Sequence, residues 1–256
     1  MWDPQQYSRY ADERSRPFYE LVARIGAPQP SLVYDLGCGP GELTASLRDR
    51  WAEARIIGVD NSPTMLDRAS AFSSDEVSFE NGDLATFLPP EEADVVISNA
   101  AYQWVDNHVD VVREIAARLP AGGWIAIQVP GNFDAPSHRI IRGLARSHKW
   151  QARLADVKLR ESPVLEPEEY GDLFASVGLQ IDTWETTYNQ VLQGDDPVLD
   201  WVRGTALTPI LGLLDEVEQE QFLTDLSPVL RDAYPRRAYG TVFPFRRIFA
   251  VGHRPA

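Results

Sequence analysis

The sequence predicts an α/β fold in which helices cover both faces of a mostly parallel sheet. Two observations support this prediction. Short apolar segments alternate with amphipathic segments through the first half of the 256-residue chain. The apolar segments are also continuous, rather than alternating with polar residues. Continuous apolar runs are typical of strands that helical crossovers bury on both faces of a parallel sheet.

The elements of the first half follow from apolar spacing and from proline and glycine positions. Asp3-Pro4 is typical of a helix start, and Pro17 opens a second helix, which ends at Gly26. Strands and helices then alternate. They are predicted as strand 31–36, helix 42–51, strand 55–60, helix 63–72, strand 77–80, strand 93–99, helix 106–119 and strand 124–129.

The second half is less regular. Helices are predicted over 136–151 and 168–177, followed by two strands, 179–184 and 186–192, or by one bent strand in their place. Asp195 and Pro197 begin another helical region, and a helical stretch over 207–234 is expected to break near Pro228. The last strand is 241–251. Helices between the last two strands predict a cap inserted into the sheet domain.

Composition and charge exclude several classes of function. The formal net charge is −14, which disfavours nucleic acid and anionic membranes as partners. One cysteine, Cys38, excludes a disulfide framework, and the four histidines lack metal-ligand spacing, so no metal is expected. No secretory signal and no apolar run of about 18 residues is present. We therefore expect a cytoplasmic protein, and a monomer.

A glycine-rich segment lies where the first strand turns into the following helix. Residues 35–41 read Asp-Leu-Gly-Cys-Gly-Pro-Gly, and glycines there let the backbone approach a ligand closely. The spacing G-x-G-x-G differs from the G-x-G-x-x-G of dinucleotide-binding folds, which disfavours a nicotinamide oxidoreductase. Asp35 before the turn suits an ammonium group.

Three elements together resemble class I S-adenosylmethionine-dependent methyltransferases over residues 32–129: the glycine segment, Asp60 ending the second strand, and Gly82-Asp83-Leu84 after the third. The resemblance implies a Rossmann-like, seven-stranded, mostly parallel sheet, with S-adenosyl-L-methionine as cofactor and S-adenosyl-L-homocysteine as product. It also implies a single domain over 1–256. Its predicted parts are an N-terminal helical lid (1–30), a cofactor-binding core (31–130), the second half of the core (131–192), a helical cap (193–240) and the last strand (241–256).

The same resemblance assigns roles to residues. Asp60 would accept both ribose hydroxyls, because a carboxylate has two acceptor oxygens; Asp83 would meet the adenine amino group, and Leu84 would pack on the ring. The predicted cofactor-binding residues are Asp35, Gly37, Cys38, Gly39, Gly41, Asp60, Asn61, Gly82, Asp83, Leu84, Asn99, Ala100 and Trp104. Structural alternatives stay open: a purely structural glycine turn, a helix cap at Asp60, a solvated turn acid at Asp83, and packing at Cys38.

Further blocks resemble trans-aconitate 2-methyltransferases within that class, over residues 2–249. The blocks are 2–7, 13–17, 99–104, 128–132, 184–188, 200–201 and 245–249. This resemblance implies methyl ester formation on one carboxylate of a tricarboxylate substrate. A carboxylate is already ionised at neutral pH, so no general base is needed and no catalytic residue is predicted.

Arginine forks and tyrosine hydroxyls suit the carboxylates of such a substrate. Arg247 is preferred to Arg246 because strand alternation sends the two side chains to opposite faces and Arg247 matches the family's Phe-x-Arg-x-Phe pattern. The predicted substrate-binding residues are Tyr7, Arg16, Tyr188, Arg203, Tyr239 and Arg247. Each arginine could instead be a surface ion-pair partner, and Arg16 could instead bind the cofactor carboxylate.

Two other functions share the same motifs. One is methyl transfer to another small molecule, such as a natural-product hydroxyl or a different acid. The other is a non-catalytic cofactor-binding module used in assembly or regulation, because a fold does not by itself fix a function.

Overall fold

The computed structural model describes residues 15–256, which divide into two compact units. The sheet unit holds the described residues up to Pro130 together with Val164–Thr186 and Arg247–Ala256. The helical unit holds Gly131–Pro163 and Thr187–Arg246. The bounds predicted for the lid, core and cap stay predictions, and the helix start at Asp3-Pro4 lies outside the described residues.

Helices and strands alternate through the sheet unit before the more helical region. In chain order the elements are α1 (Arg16–Ala23), β1 (Leu32–Leu36), α2 (Glu42–Ser46), β2 (Arg55–Asp60), α3 (Pro63–Ala69), β3 (Val77–Asn81), β4 (Val95–Asn99), α4 (His108–Arg118), β5 (Trp124–Pro130), α5 (Pro136–Ala145), α6 (Pro167–Ser176), β6 (Gln180–Leu192), α7 (Pro197–Arg203), α8 (Thr208–Leu211), α9 (Glu216–Ala233), β7 (Arg236–Arg237) and β8 (Gly240–His253). Single 3₁₀ turns follow α2, α3 and β4.

The strands form one sheet in the order β3-β2-β1-β4-β5-β8-β6, and the two-residue β7 pairs with β8. Strands β1 to β5 pair in parallel, whereas β5 and β8 pair antiparallel. The predicted mostly parallel, seven-stranded α/β sheet is confirmed, with β7 as a short addition.

The strand order places a ligand crevice at one edge of the sheet. The chain runs from β1 outward to β2 and β3, then returns to the other side of β1 as β4. The register aligns the carboxyl ends: Leu36 faces Val59, and Asp60 faces Asn81. In such sheets ligands bind outside the carboxyl ends of the strands where the order reverses.

Each unit has its own apolar core. In the sheet unit, Leu36, Val59 and Ile127 from the strands pack with Val112 of α4 and Phe174 of α6. In the helical unit the core joins α5, α7 and α9, and its fully buried members include Val202, Phe222, Leu226 and Leu230. Within residues 15–256, no helix combines the length and apolarity needed to cross a membrane.

The structure resolves or corrects several predicted boundaries. Residues 179–192 form the single strand β6, which selects the one-strand alternative. The break predicted near Pro228 is wrong, because α9 runs through it. Proline removes the bond to the Thr224 carbonyl and its ring crowds that carbonyl. Both residues lie on the exposed side, where water can satisfy the carbonyl, while Leu226 and Leu230 pack on the opposite face.

The interruption in that helical stretch falls earlier. It lies between α8 and α9, where Asp215 begins α9 with a capping box: its side chain accepts from the N–H of Glu218, whose carboxylate accepts from the N–H of Asp215. The helix predicted over 136–151 ends at Ala145, and the one predicted from Asp106 begins at His108.

Candidate active site

The glycine segment forms a tight turn between β1 and α2. Gly37, Gly39 and Gly41 all have positive φ, of 81°, 54° and 82°. A Cβ on Gly37 would lie 2.2 Å from the Cβ of Ala101, whereas a Cβ on Gly39 would meet nothing within 4 Å. The outer glycines are therefore required by packing, while Gly39 leaves open space beside the backbone for a ligand.

Asp60 holds this turn from the end of β2. Its Oδ2 accepts from the N–H of Gly39 at 3.0 Å, and its Oδ1 accepts from the N–H of Ser62 at 2.9 Å. The N-cap of α3 is Ser62, whose Oγ accepts from the N–H of Met65, so Asp60 is not the cap itself. Each carboxylate oxygen keeps a further lone pair, and the carboxylate can accept two more donors.

The turn after β3 contributes a carboxylate and an apolar surface. Asp83 is exposed, and its Oδ1 accepts from the N–H of Ala85 at 2.9 Å. Leu84 is 8% exposed, and its Cδ1 lies beside Gly37. A flat ring could therefore lie on Leu84 with its polar edge toward Asp83.

The segment after β4 holds an unusual backbone conformation. Ala100 has φ 56° and is the one non-glycine residue with positive φ among residues 15–256. Its N–H donates to the carbonyl of Gln128 at 2.8 Å, and its carbonyl accepts from Nε2 of Gln103 at 2.6 Å. A non-glycine residue in this region costs about 1–2 kcal/mol, and such strain concentrates at functional sites. Trp104, at the end of this segment, is 63% exposed.

These turns enclose a cleft of about 720 Å³, a size suited to a small molecule. Eight of the predicted cofactor-binding residues line it together. They are Gly37, Gly39, Asp60, Asn61, Asp83, Leu84, Ala100 and Trp104.

The other predicted cofactor-binding residues lie outside the lining of this cleft: Asp35, Cys38, Gly41, Gly82 and Asn99. Asp35 is 3% exposed and accepts from Oγ1 of Thr44 at 2.6 Å. Burial raises the pKa of Asp35 to about 6, the Thr44 bond lowers it, and the charge of Asp60 raises it. Burial also raises the pKa of the Cys38 thiol, as do the charges of Asp35 and Asp60. The thiol is protonated at neutral pH, which favours packing as its role.

Two of these five are required by packing. A Cβ on Gly82 would lie 2.6 Å from Cγ1 of Val59, and one on Gly41 would lie 2.7 Å from the side chains of Ala69 and Phe79. Both glycines therefore shape the turns that carry the cleft.

Sequence reasoning missed part of the lining. The residues it left out of the predicted site are Pro40, Ser62, Met65, Ala85, Ala101, Val105, Asp106 and Asn107. Asn107 occupies the N-cap position of α4 and its Nδ2 donates to the carbonyl of Ala85 at 3.0 Å, tying two cleft turns together. Asparagine is a preferred N-cap residue. This preference could have moved the predicted helix start past Asn107 and left Asp106 and Asn107 as candidate cleft residues.

Two predicted substrate-binding residues lie in the described part of the sheet unit, and Tyr7 lies outside the described residues. Arg16 is exposed, and its Nε donates to Oε1 of Glu20 at 2.8 Å. Arg247 is half-buried, and its Nη1 donates to Oε1 of Gln128 at 3.4 Å.

The remaining three lie in the helical unit. Tyr188 is buried on β6, and Arg203 is exposed at the end of α7, beside a surface groove that also includes Leu199 and Leu223. Tyr239 is 55% exposed, and its hydroxyl accepts from Nη1 of Arg237 at 2.9 Å.

Comparisons with known proteins agree with this geometry. The family described as "Methyltransferase domain" matches residues 34–127. The chain is 49% identical over 253 residues to a trans-aconitate 2-methyltransferase of Rhodococcus jostii, covering 98% of each chain. It is 46% identical over 262 residues to a trans-aconitate 2-methyltransferase of Streptomyces avermitilis, covering 100% of this chain and 97% of the relative.

Solved structures share the fold. The YcgJ protein of Bacillus subtilis superposes with a TM-score of 0.58 at 19% identity, over 93% of this chain and 97% of that protein. At that identity the similarity concerns the fold alone.

Proposed function

Because this chain belongs to the trans-aconitate 2-methyltransferase family of S-adenosylmethionine-dependent enzymes, we propose that it methylates one carboxylate of trans-aconitate. The products would be a methyl ester and S-adenosylhomocysteine. One observation carries the proposal. The 49% identity to the Rhodococcus jostii relative extends over 98% of both chains, well beyond the shared methyltransferase segment 34–127.

The cleft of the sheet unit fits S-adenosylmethionine. Gly39 leaves open space beside a backbone of positive φ, where the methionine and ribose portion would lie. Asp60 has lone pairs left for two ribose hydroxyls. Leu84 offers a buried apolar surface for adenine, and Asp83 an exposed acceptor for its amino group.

For methyl transfer, this chain must position S-adenosylmethionine and the acid substrate next to each other. S-adenosylmethionine, when bound, supplies a methyl group on a positively charged sulfur. The acid substrate is already a carboxylate at neutral pH, so its oxygen needs no deprotonation. No histidine lines the cleft in the part of the chain that the structure describes. Orientation and exclusion of water by the protein are sufficient for such a displacement.

Substrate carboxylates require cationic and hydroxyl donors. We assign this role to Tyr7, Arg16 and Arg247, and to three residues of the helical unit, Tyr188, Arg203 and Tyr239. Arginine presents two N–H groups to both oxygens of a carboxylate. The half-buried Arg247 has the stronger support, since a charge in a partly desolvated place binds anions more tightly than an exposed one.

The test is methyl transfer from labelled S-adenosylmethionine by the purified protein. Trans-aconitate, cis-aconitate, citrate, isocitrate and a fatty acid are compared at equal concentration, with a reaction lacking acid as control. We expect a base-labile methyl ester to form fastest on trans-aconitate. Transfer to a hydroxyl compound but to none of the acids would contradict the substrate assignment and leave the methyltransferase family intact. Cofactor binding with no transfer to any acceptor would favour a non-catalytic module.

A further inference from the structure

Three polar side chains from neighbouring strands form a row at the carboxyl edge of the sheet. Asn99 ends β4 and faces Gln128 of β5, while Gln128 faces Phe249 of β8. Successive residues of a strand alternate between faces, so Arg247 lies on the same face as Phe249. We call Asn99, Gln128 and Arg247 the polar row, and all three belong to the sheet unit.

Gln128 has one satisfied and one unsatisfied side-chain atom. Its side chain is fully buried, and its Oε1 accepts from Nη1 of Arg247 at 3.4 Å. An arginine only donates hydrogen bonds, so the amide oxygen must face Arg247 and the amide nitrogen must point elsewhere. That nitrogen, Nε2, is buried and has no acceptor among residues 15–256. A buried donor without an acceptor is uncommon and requires an explanation.

Asn99 presents the opposite polarity. Its Oδ1 is buried and has no donor among the residues that the structure describes. The row thus offers an acceptor on β4 and donors on β5 and β8. An anion is repelled from Asn99 Oδ1 and attracted by Gln128 Nε2 and Arg247.

The row adjoins the cleft that fits the methyl donor. The N–H of Ala100, which lines the cleft, donates to the backbone carbonyl of Gln128 at 2.8 Å. A backbone hydrogen bond therefore joins the strand that carries Gln128 directly to the wall of the cleft.

We propose that Gln128 and Arg247 form a subsite for a non-reacting carboxylate of the substrate, with Gln128 Nε2 as its specificity-determining donor. This inference rests on the proposed function. A carboxylate that accepts charge-assisted hydrogen bonds on its oxygens is a weaker nucleophile, so the group held here is not the one that takes the methyl. The subsite selects acids with at least two carboxylates over monocarboxylic acids.

Calorimetry on the complex with S-adenosylhomocysteine tests the subsite without requiring turnover. The variants are Gln128→Glu, which keeps the side-chain shape and replaces the donor by an anion, and Gln128→Leu, which removes the amide. We expect Gln128→Leu to weaken trans-aconitate binding by about 10-fold to 100-fold, and Gln128→Glu by more than about 100-fold. The dissociation constant of S-adenosylhomocysteine should change by less than about 2-fold, and the preference for trans-aconitate over a monocarboxylic acid of similar length should fall.

Adjacent arginines on β8 supply the matched control. Arg247→Ala should weaken trans-aconitate binding as Gln128→Leu does, whereas Arg246→Ala, on the opposite face of the strand, should leave it within about 2-fold. Wild-type trans-aconitate affinity in Gln128→Leu would overturn the subsite, as would equal losses for trans-aconitate and S-adenosylhomocysteine.

Failure of the proposed function gives a different pattern. Wild-type protein that binds trans-aconitate without methylating it would contradict the proposed reaction, and the effect of Gln128→Leu on binding would still support the subsite. Wild-type protein that binds no di- or tricarboxylic acid would overturn both.

Discussion

The cofactor cleft and the polar row lie at the same edge of the sheet, yet their polar groups are satisfied differently. In the cleft, the carboxylates accept hydrogen bonds from the backbone: each oxygen of Asp60 accepts from an N–H group, and Asp83 accepts from the N–H of Ala85. In the row, Gln128 Nε2 and Asn99 Oδ1 have no partner among residues 15–256. The polar groups of the cleft are therefore satisfied without a ligand, whereas the row keeps a buried donor and a buried acceptor that the proposed ligand would engage.

The difference also appears in strain. The turns around the cleft carry positive φ at three glycines and at Ala100, together with a buried acid, Asp35, beneath the turn. This backbone strain and the burial of an acid are compatible with folding because the surrounding structure fixes the backbone without a ligand. Changes in the cleft should therefore alter stability as well as binding, while changes in the row should alter anion binding more than stability.

The largest effect is expected at Gly37. Gly37→Ala should lower the free energy of unfolding by about 4 kcal/mol, because the new Cβ meets Ala101 at 2.2 Å and φ is 81°. Gly39→Ala is the matched variant: its Cβ meets nothing within 4 Å, so only about 1–2 kcal/mol should be lost. Urea unfolding measures both. Equal losses would show that Gly37 is not held by packing.

The next effect concerns pH. The pKa of Asp35 is raised to about 6 by burial, so its contribution to stability is fully present below about pH 4 and is lost as pH rises through 6. Asp35→Asn keeps an acceptor for Thr44 and removes that loss. The variant should gain about 3 kcal/mol relative to wild type between pH 4 and pH 8. Urea unfolding at both pH values measures this, and a pH-independent difference would contradict the raised pKa.

Asp60→Ala, which removes the carboxylate, should weaken S-adenosylhomocysteine binding by about 100-fold, or about 2.7 kcal/mol. The change loses the acceptors for two hydroxyls and the bond that fixes Gly39. The control is Asp67→Ala, which removes an exposed carboxylate of α3 that does not line the cleft, and this variant should bind normally. Calorimetry distinguishes them; equal affinity in the two variants would remove Asp60 from the site.

The smallest effect is expected at Asp83. Its side chain is exposed, and a solvated hydrogen bond to a ligand amino group contributes about 1 kcal/mol. Asp83→Asn should therefore weaken S-adenosylhomocysteine binding by about 5-fold. An effect as large as that of Asp60→Ala, measured by the same calorimetry, would mean that the cleft closes over Asp83 when ligand binds.

Features of the cleft depend on nearby residues and could be predicted from the sequence, whereas features that depend on distant contacts could not. Gly37, Asp60 and Leu84 were predictable because each lies at the end of a strand or in the turn that follows it, so their place depends on a few adjacent residues. The hydrogen bonding of the Gln128 side chain was not predictable, since its partner Arg247 lies 119 residues away in the sequence. The continuity of α9 through Pro228 depends likewise on Leu226 and Leu230 packing in a core that local propensity does not contain.

The central claim is that this protein positions an already ionised carboxylate and abstracts no proton. Its most direct test is the pH dependence of kcat/KM for trans-aconitate at saturating S-adenosylmethionine. Because the acid is ionised throughout, the account predicts a constant value between about pH 7 and pH 9. A value that rises about tenfold per pH unit would demonstrate a required deprotonation, and would contradict both the absence of a general base and the choice of a carboxylate as methyl acceptor.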